Sequence, residues 1–568
     1  MRTMLSWPRY ILACALAGSS FLFGYPLLFM MQHGSNSLAW PDNAGANPIV
    51  WFKEIVGSIP DKFPNLLFLG STYFKMWAGQ SLAFSDGGFY AAASLTAFTL
   101  VACTLILGGG EIISRRVKFG QYGNAQWASP QVISALDKGI EIGIDPSSRR
   151  PVRIQIEGNL LTIAPPRSGK TGGFIIPNLS FPEVNAWAGP AVVIDPKGDV
   201  HKAVRRRRES MGRVVRCVDP LSLAGGSDRW NPLIKVDPND ILYLQSMASA
   251  LLPPMKEGSD SNSYFQSRAN DVIVAAILST VRNGRADPVG AAELLMEPTK
   301  LQKALESHID HASIAAAEIL AMAPKSREDI ISTAQLATQW LRDKRMQTVV
   351  TDHTFEMSDL ATGNVDLFIV LPADGKKKIL APYVRWLLAD LFSAIRANRP
   401  SERIIAFVDE AFVLGRFDAI LDGVGELPGY GLSLWTFWQT KSQLIGTYGD
   451  EGASTMMNTA EMINVFNLSS ADPKEKEYWS SAIGEYTGLK TSSTPDPKTG
   501  KDVETRSTEA MRLAPSSDLP TLLQKHQVVF LTGAGQPPDP IKLLKTAAFK
   551  DARFKGLVDF QAPVGKSS

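Results

Sequence analysis

Residues 160–171 read LLTIAPPRSGKT, a short apolar run that leads directly into a glycine, a lysine and a threonine. The run Leu160–Ile163 predicts a buried β-strand, and the apolar segment beyond the threonine predicts a helix. A loop between a strand and a helix binds phosphate when its backbone N–H groups are unobstructed, a lysine meets the outer phosphates and a hydroxyl holds magnesium. Gly169, Lys170 and Thr171 supply these groups.

This phosphate loop departs from the usual GxxxxGK[ST] pattern because Ala164 stands in the place of the first glycine. GKT motifs also occur by chance, so the loop alone leaves a nucleotide site and a coincidence open. The residues predicted to bind the nucleotide are Ala164, Pro165, Pro166, Arg167, Ser168, Gly169, Lys170, Thr171 and Gly172.

A second predicted strand ends in acidic residues. The apolar run 403–408 is followed directly by Asp409 and Glu410. An aspartate at the carboxyl end of a strand can organise magnesium, and the adjacent glutamate can polarise an attacking water. The two strands together predict a nucleotide hydrolase in which Thr171 and Asp409 bind Mg²⁺, and Lys170, Asp409 and Glu410 are catalytic.

The bulk composition excludes several other classes of protein. With 568 residues, the chain is long enough for several domains. Lys and Arg total 58 against 56 for Asp and Glu, so no general basic field indicates a dedicated nucleic-acid binder. The three cysteines, Cys14, Cys103 and Cys217, form no CxxC pair, which argues against both a disulfide framework and a zinc site.

Two long apolar stretches, residues 10–31 and 87–110, predict membrane spans, since about 20 such residues cross the hydrocarbon layer. Basic residues precede the first stretch and follow the second, so the positive-inside rule predicts cytoplasmic termini and a periplasmic loop at 33–86. A cleaved signal peptide is the alternative for the first stretch, but its length and bulky end disfavour it. The predicted location is the bacterial inner membrane, with a multi-pass anchor.

Several fragments of the sequence resemble those of the type IV secretion coupling proteins, the TraG/VirD-like conjugation ATPases. Residues 164–171 resemble that family's APTRSGK loop, and 192–199 (VVIDPKGD) resemble its VVxDPKGE turn. Residues 409–416 are similar to DEFPALGR, and 429–444 are similar to GYG…QSLSQL. The order and spacing of these fragments are specific, and the resemblance spans most of 120–530.

The resemblance implies an α/β fold: a RecA-like P-loop NTPase domain with an inserted all-α domain and an N-terminal two-helix transmembrane anchor. The implied divisions are the anchor at 1–110, the nucleotide-binding domain at 111–235 and 361–568, and the all-α domain at 236–360. Alternating strands and helices favour a mostly parallel sheet covered on both faces. Apolar periodicity predicts helices within the insertion at Ile241–Leu252, Tyr264–Arg282, Ala291–Ser307, Ser313–Met322 and Ser326–Thr348.

Two further catalytic residues follow from the resemblance. Gln439 ends the predicted strand 432–438, where RecA-like motors place an amide that senses the γ-phosphate; the alternative is a glutamine that caps a loop. Some relatives carry a trans-acting arginine ahead of the turn at 428–430, where this chain has Pro-Gly-Tyr. Arg416 or Arg385 is the hypothetical substitute, and an ordinary surface or packing arginine is the alternative for each.

The implied function is an inner-membrane coupling ATPase that uses ATP and Mg²⁺ to drive substrates into a type IV secretion channel. The expected substrates are a relaxase or protein effectors and DNA, single- or double-stranded, bound without sequence preference. The other expected partners are channel components of the inner membrane and further copies of the chain, which form a hexamer. A membrane-bound receptor in which nucleotide only switches assembly is the alternative from another class. An FtsK-like translocase is disfavoured, because that class has more spans and a terminal winged helix.

Local features give two further expectations. The basic runs Arg205–Arg208 and Lys376–Lys378 attract phosphate backbones, with a solvated helix face or contact with anionic lipid as the alternatives. The polar stretch Thr491–Ser507 is rich in turn-forming residues and predicts a mobile surface loop.

Overall fold

The computed structural model describes residues 120–252, 260–307, 310–372, 375–495, 502–533 and 535–559, together with Thr99 and Cys103. No helix in these parts of the chain is both long and apolar enough to cross a membrane. The predicted spans at 10–31 and 87–110 lie outside the described residues, apart from Thr99 and Cys103, so the anchor stays a prediction.

The described strands are β1 Ile140–Ile144, β2 Pro151–Ile154, β3 Asn159–Ile163, β4 Ala191–Asp195, β5 Val214–Val218, β6 Val365–Val370, β7 Ile404–Val408, β8 Leu432–Trp438, β9 Ala460–Val465, β10 Glu485–Pro495, β11 Asp502–Arg512, β12 His526–Leu531 and β13 Ile541–Leu544. The described α-helices are α1 Pro130–Ser134, α2 Ile176–Ser180, α3 Asp199–Ser210, α4 Ile241–Leu251, α5 Asp260–Arg282, α6 Pro288–Met296, α7 Pro298–Leu305, α8 His311–Leu320, α9 Pro324–Thr338, α10 Lys344–Thr351, α11 Lys377–Ala397, α12 Asp418–Glu426, α13 Lys441–Asn458, α14 Pro473–Ile483 and α15 Leu519–Lys525.

The chain has two compact units, and the larger one comprises residues 125–485 and 512–568. An 11-stranded mixed sheet forms its centre, in the order β2-β1-β13-β12-β9-β3-β8-β7-β4-β6-β5. From β9 to β5 every neighbouring pair is parallel, as the apolar runs of these strands predict. From β9 to β2 every pair is antiparallel, so the expectation of a mostly parallel sheet holds for one part only. The antiparallel part recruits β12 and β13 from the C-terminal region beside β1 and β2.

Both faces of the sheet are buried. Leu161 and Ile163 of β3 belong to one apolar core, whereas Leu160 and the following Ala164 belong to a second core. Successive side chains of a strand point to opposite faces, so a strand that is apolar throughout fills both cores at once.

Helices α4 to α10 lie between β5 and β6, and no strand occurs among the described residues of that stretch. Two of the predicted helices are each divided. Pro298 begins α7 directly after α6, since proline suits a first helical turn and ends a preceding helix. Asp343 accepts a hydrogen bond from the N–H of Arg345 and so caps the start of α10.

Two of the four arginines of the Arg205–Arg208 cluster on α3 are structural, which corrects the expectation that the whole run attracts phosphate backbones. Arg208 is fully buried and makes two hydrogen bonds to Asp366 of β6, at 2.7 and 2.8 Å. Arg207 donates to the backbone carbonyls of Ser180 and Phe181, both at 2.9 Å. The first two arginines of the cluster form exposed ion pairs with Glu209 and Asp559.

The smaller unit comprises residues 1–124 and 486–511, and its described part contains a two-stranded sheet of β10 and β11. These strands occupy most of 491–507, so the prediction of a loop there was wrong for the described residues. The stretch carries several threonines, and β-branched residues favour strands when a partner strand is present.

Candidate active site

The phosphate loop and the acidic pair meet because their strands share one edge of the sheet. β8 lies between β3, which leads into the loop, and β7, which leads into Asp409. Ile163 at the end of β3 is opposite Trp438, and Val408 at the end of β7 is opposite Thr436. All three strands are parallel, so their carboxyl ends open into the crevice where such sheets bind ligands.

The loop tolerates Ala164 because that position needs no left-handed backbone. Ala164 is fully buried, and its N–H donates to the carbonyl of Trp438 at 2.8 Å, as a continuation of the sheet. The left-handed turns lie further on, at Arg167 (φ 59°) and Gly169 (φ 92°). The space where a Cβ of Gly169 would point holds no atom of the described residues within 4 Å, so the loop is open there.

Thr171 and Asp409 are in direct contact although 238 positions separate them in sequence. The hydroxyl of Thr171 donates to Oδ2 of Asp409 at 2.9 Å. The other carboxylate oxygen, Oδ1, is enclosed and has no hydrogen-bond partner among the described residues. An enclosed carboxylate oxygen without a partner is costly, and a cation would satisfy it.

Charges of both signs converge on this contact. Burial lowers the pKa of Lys170, while the nearby carboxylates of Asp409 and Glu410 oppose that shift. Burial also raises the pKa of Asp409 to about 7; Lys170 and the hydrogen bond from Thr171 oppose this rise, and Asp195 and Glu410 add to it. Both shifts show that the isolated charges are poorly solvated, so the site favours ligands that bring compensating charge.

The donor set fits a hard divalent cation beside a phosphate chain. A threonine hydroxyl and a carboxylate are oxygen ligands of the kind Mg²⁺ takes, usually together with phosphate oxygens. Lys170 and the open loop supply the positive groups for the phosphates. Thr171 and Asp409 are therefore the residues that would hold the metal.

Glu410 and Gln439, the other predicted site residues, follow the ends of two neighbouring strands, β7 and β8. Glu410 follows Asp409 at the end of β7 and contributes to the electrostatics of Lys170. Gln439 is half-buried and directly follows β8, between the loop and the acidic pair, and its backbone N–H donates to the side chain of Gln443 at 2.9 Å.

Both candidate arginines have hydrogen-bond partners outside these groups in the single subunit. Nε of Arg416 donates to Asp418 at 2.9 Å, and the side chain is 24% exposed, so it is accessible from outside the subunit. Arg385 is buried and donates to four carbonyl oxygens, those of residues 250–252 at the end of α4 and that of Leu414. Arg385 fixes the end of a helix, so its proposed reach toward a neighbouring subunit was wrong.

Two site residues were not predicted, although their motif was quoted. Asp195 at the end of β4 is buried, accepts from the N–H of His201 at 2.9 Å, and has its pKa raised by burial to about 6. Asp195 and the exposed Lys197 both act electrostatically on the site, Asp195 on Asp409 and Lys197 on Lys170. The signal available in the sequence was a third buried strand ending in an aspartate, the same pattern as in β7.

Comparison with known proteins is consistent with this geometry. A family model described as "Type IV secretory system Conjugative DNA transfer" matches residues 153–567. Protein VirD4 of Rhizobium radiobacter is 25% identical over 418 residues, which is 71% of this chain and 58% of that protein. Conjugal transfer protein TraG of Escherichia coli is 26% identical over 320 residues, 50% of this chain and 49% of TraG. The matches thus span only about half to three fifths of these relatives' length.

A solved structure shares the fold. The plasmid coupling protein TrwB in complex with ADP and Mg²⁺ superposes with a TM-score of 0.58 at 16% identity, over 75% of this chain and 97% of that chain. At this identity the likeness shows the fold alone. It confirms the predicted α/β fold, and the sheet of this chain is mixed, with its parallel pairs on one side and its antiparallel pairs on the other.

Proposed function

We propose a function on one premise: the chain belongs to the type IV secretory system conjugative DNA transfer family, whose model matches residues 153–567. The protein is an inner-membrane coupling ATPase that recruits DNA with its relaxase, or protein effectors, and drives them into a secretion channel. The observation that carries this proposal is the contact between Thr171 and Asp409, with Lys170 beside it and Oδ1 of Asp409 enclosed.

ATP and Mg²⁺ are the proposed ligands. TrwB, which shares the fold, is described as holding ADP and Mg²⁺. When bound, the cation neutralises the charge of the outer phosphates. The chain's own groups act around it: Lys170 attracts the phosphates, the loop's N–H groups orient them, Glu410 accepts a proton from the attacking water, and the Gln439 amide responds to the γ-phosphate.

Two membrane spans, at 10–31 and 87–110, anchor the protein, with both termini in the cytoplasm. The ATPase domains assemble as a hexamer around a central path for the substrate. The protein contacts DNA through attraction between basic side chains and the phosphate backbone of the DNA. Lys376 and Lys378 are exposed candidates for this contact. Arg207 and Arg208 are not candidates, because both are bound to other groups of the protein.

The experiment that separates a motor from a receptor measures multiple turnover of ATP by the detergent-solubilised full chain, with and without DNA. A motor releases many phosphates per subunit, and DNA accelerates the release. A receptor in which nucleotide only switches assembly binds ATP and releases at most one phosphate per subunit. The second outcome would reject the motor and leave the receptor.

Asp409→Asn should abolish the stabilisation that Mg²⁺ adds to nucleotide binding. A ligand that binds only the folded protein raises the melting temperature, and the increment from Mg²⁺ depends on its ligands. We expect Mg²⁺ with ATP to raise the melting temperature of the wild type more than ATP with EDTA does, and the two conditions to be equal for Asp409→Asn. Asp418→Asn, a change to the exposed partner of Arg416, is the control and should keep the increment. An undiminished increment in Asp409→Asn would remove Asp409 from the metal site.

Arg416→Ala should lower the ATPase activity of the assembled protein by at least about tenfold, if Arg416 stabilises transition-state charge in a neighbouring subunit. Its affinity for ATP, measured on dispersed subunits, should stay unchanged, because Arg416 is not among the charged groups that shift the pKa of Lys170. Arg345→Ala, which removes an exposed arginine paired with Asp343, is the matched control. Wild-type turnover in assembled Arg416→Ala would end this assignment.

A further inference from the structure

Phe549 is an exposed aromatic residue held beside the phosphate loop. Phe549 is 54% exposed, which is unusual for so large an apolar residue. A Cβ placed on Gly172 would lie 3.0 Å from Cε2 and 3.2 Å from Cδ2 of the ring. Since Gly172 directly follows Thr171, the ring is packed against the backbone at the exit of the loop, and any larger residue at 172 would press on it.

A missing backbone donor explains why the C-terminal segment docks at this position. Residues Thr171–Ile175 form a π-helical turn, in which the N–H of Ile176 donates to the carbonyl of Thr171. The next bond of this kind would need an N–H on Pro177, which proline lacks. The carbonyl of Gly172 accepts instead from the N–H of Ala548 at 3.0 Å. Pro177 thus leaves an acceptor for the turn that carries Phe549.

Buried polar contacts fix the turn that carries Phe549 on both sides. The hydroxyl of Thr546 donates to Glu141 at 2.8 Å, and Arg553 donates to the same carboxylate at 2.8 and 2.9 Å. Between them, the N–H groups of Lys550 and Asp551 both donate to the carbonyl of Ala547. Glu141 itself is buried. The ring is therefore positioned before any ligand arrives, which reduces the ordering cost of binding to it.

We propose, on the basis of the ATP site proposed above, that the exposed face of Phe549 is the platform on which the purine base of the nucleotide stacks. The phosphates lie over the loop, with the outer ones at Lys170, so the ribose and base extend away from the loop on the side of the residues that follow Thr171. A phenyl face offers a base a stacking surface without hydrogen bonds that distinguish one base from another. Phe549 thus contributes affinity for purine nucleotides and little discrimination between adenine and guanine.

Isothermal titration of the detergent-solubilised full chain tests this platform with three probes: MgATP, MgGTP and magnesium tripolyphosphate. Phe549→Ala should lower affinity for MgATP by at least about fivefold, the smaller end of what removing a base–aromatic stack costs. MgGTP affinity should fall by a similar factor. Affinity for tripolyphosphate, which has no base, should stay within twofold of the wild type. Phe549→Tyr should keep MgATP affinity, whereas Phe549→Leu, apolar but without a π face, should lose most of it.

Tyr264→Ala, which removes another exposed aromatic residue (45% exposed), is the control and should change neither affinity. Equal MgATP affinity in the wild type and Phe549→Ala overturns the platform and leaves the proposed ATPase intact. A parallel loss of ATP and tripolyphosphate affinity also overturns it, because the change would then act through the loop. A wild type that binds tripolyphosphate but not ATP, or neither probe, overturns the platform together with the proposed function.

Discussion

Lys170→Ala is expected to lower the rate of ATP turnover by at least about 100-fold, the scale on which removing one preorganised electrostatic group acts. Lys170 is 9% exposed and is the cation whose charge acts on both Asp409 and Glu410. Its removal leaves the outer phosphates without their compensating charge at a site where burial already disfavours further negative charge. Phosphate release by the solubilised full chain, in the presence of DNA, measures the effect.

Lys138→Ala is the matched control for Lys170→Ala, because Lys138 is an exposed lysine in the segment before β1. It should turn over ATP at the wild-type rate. Substrate transfer in cells should follow the same order, with transfer lost in Lys170→Ala and kept in Lys138→Ala. Turnover by Lys170→Ala within twofold of the wild type would show that ATP hydrolysis does not depend on the lysine of the phosphate loop.

Arg208→Ala is expected to destabilise the folded protein by about 3–5 kcal/mol, the range for breaking a buried ion pair by removing one partner. Arg208 and Asp366 are both fully buried, and the truncation would leave the carboxylate of Asp366 with only the more distant Arg213, at 3.9 Å, as counter-charge. Asp366 lies in β6 and also accepts the N–H of Ala191 at 2.9 Å, so the disturbance reaches β4. Urea unfolding followed by tryptophan fluorescence measures the change.

Two further variants distinguish this pair from general effects of losing charge. Arg205→Ala removes an exposed pair with Glu209 on the same helix, and exposed pairs at this spacing contribute only about 0.3–0.5 kcal/mol. Arg208→Met combined with Asp366→Asn removes both buried charges and keeps an acceptor for Ala191. The combination should recover most of the stability, since the cost lies in the unpaired charge. A loss in Arg208→Ala no larger than that in Arg205→Ala would show that the buried pair contributes little.

The meeting of the phosphate loop and the acidic pair was predictable because it depends on strand ends alone. β3 and β7 are apolar runs that end in polar residues, and parallel strands bring such ends to one edge. The same rule would have placed Asp195, which ends β4, in the site. Asp195 is harder to predict because its motif also matches the family's DPKG turn, which by itself does not indicate a role in the site.

Elsewhere, the sequence could not show which residues far apart in the chain would contact each other. The arginine run on α3 has the composition of a solvated or nucleic-acid-binding helix face, and the partner that makes it structural, Asp366, lies 158 positions away from Arg208. Likewise, Pro177 signals a local break, but the sequence does not show that Ala548 fills the acceptor it leaves. Side-chain type specifies what a group needs, whereas the fold decides which distant group supplies it.

The prediction of helix boundaries between β5 and β6 was inaccurate for a different reason. The apolar periodicity continues across Pro298 and Asp343, so it predicts one helix where the structure has two segments. Both breaks carry local signals, a proline suited to a first turn and an aspartate suited to a cap, and both were outweighed by the periodic pattern.

Single-turnover phosphate release by Glu410→Gln tests whether this site hydrolyses ATP with the acidic pair at the end of β7. The amide keeps the size of Glu410 but cannot accept a proton from water. We predict that Glu410→Gln binds MgATP with wild-type affinity and releases phosphate at least about 100-fold more slowly in the first turnover. First-turnover release at the wild-type rate, with MgATP binding intact, would contradict the role of Glu410 as the base for hydrolysis, and another residue would have to supply it.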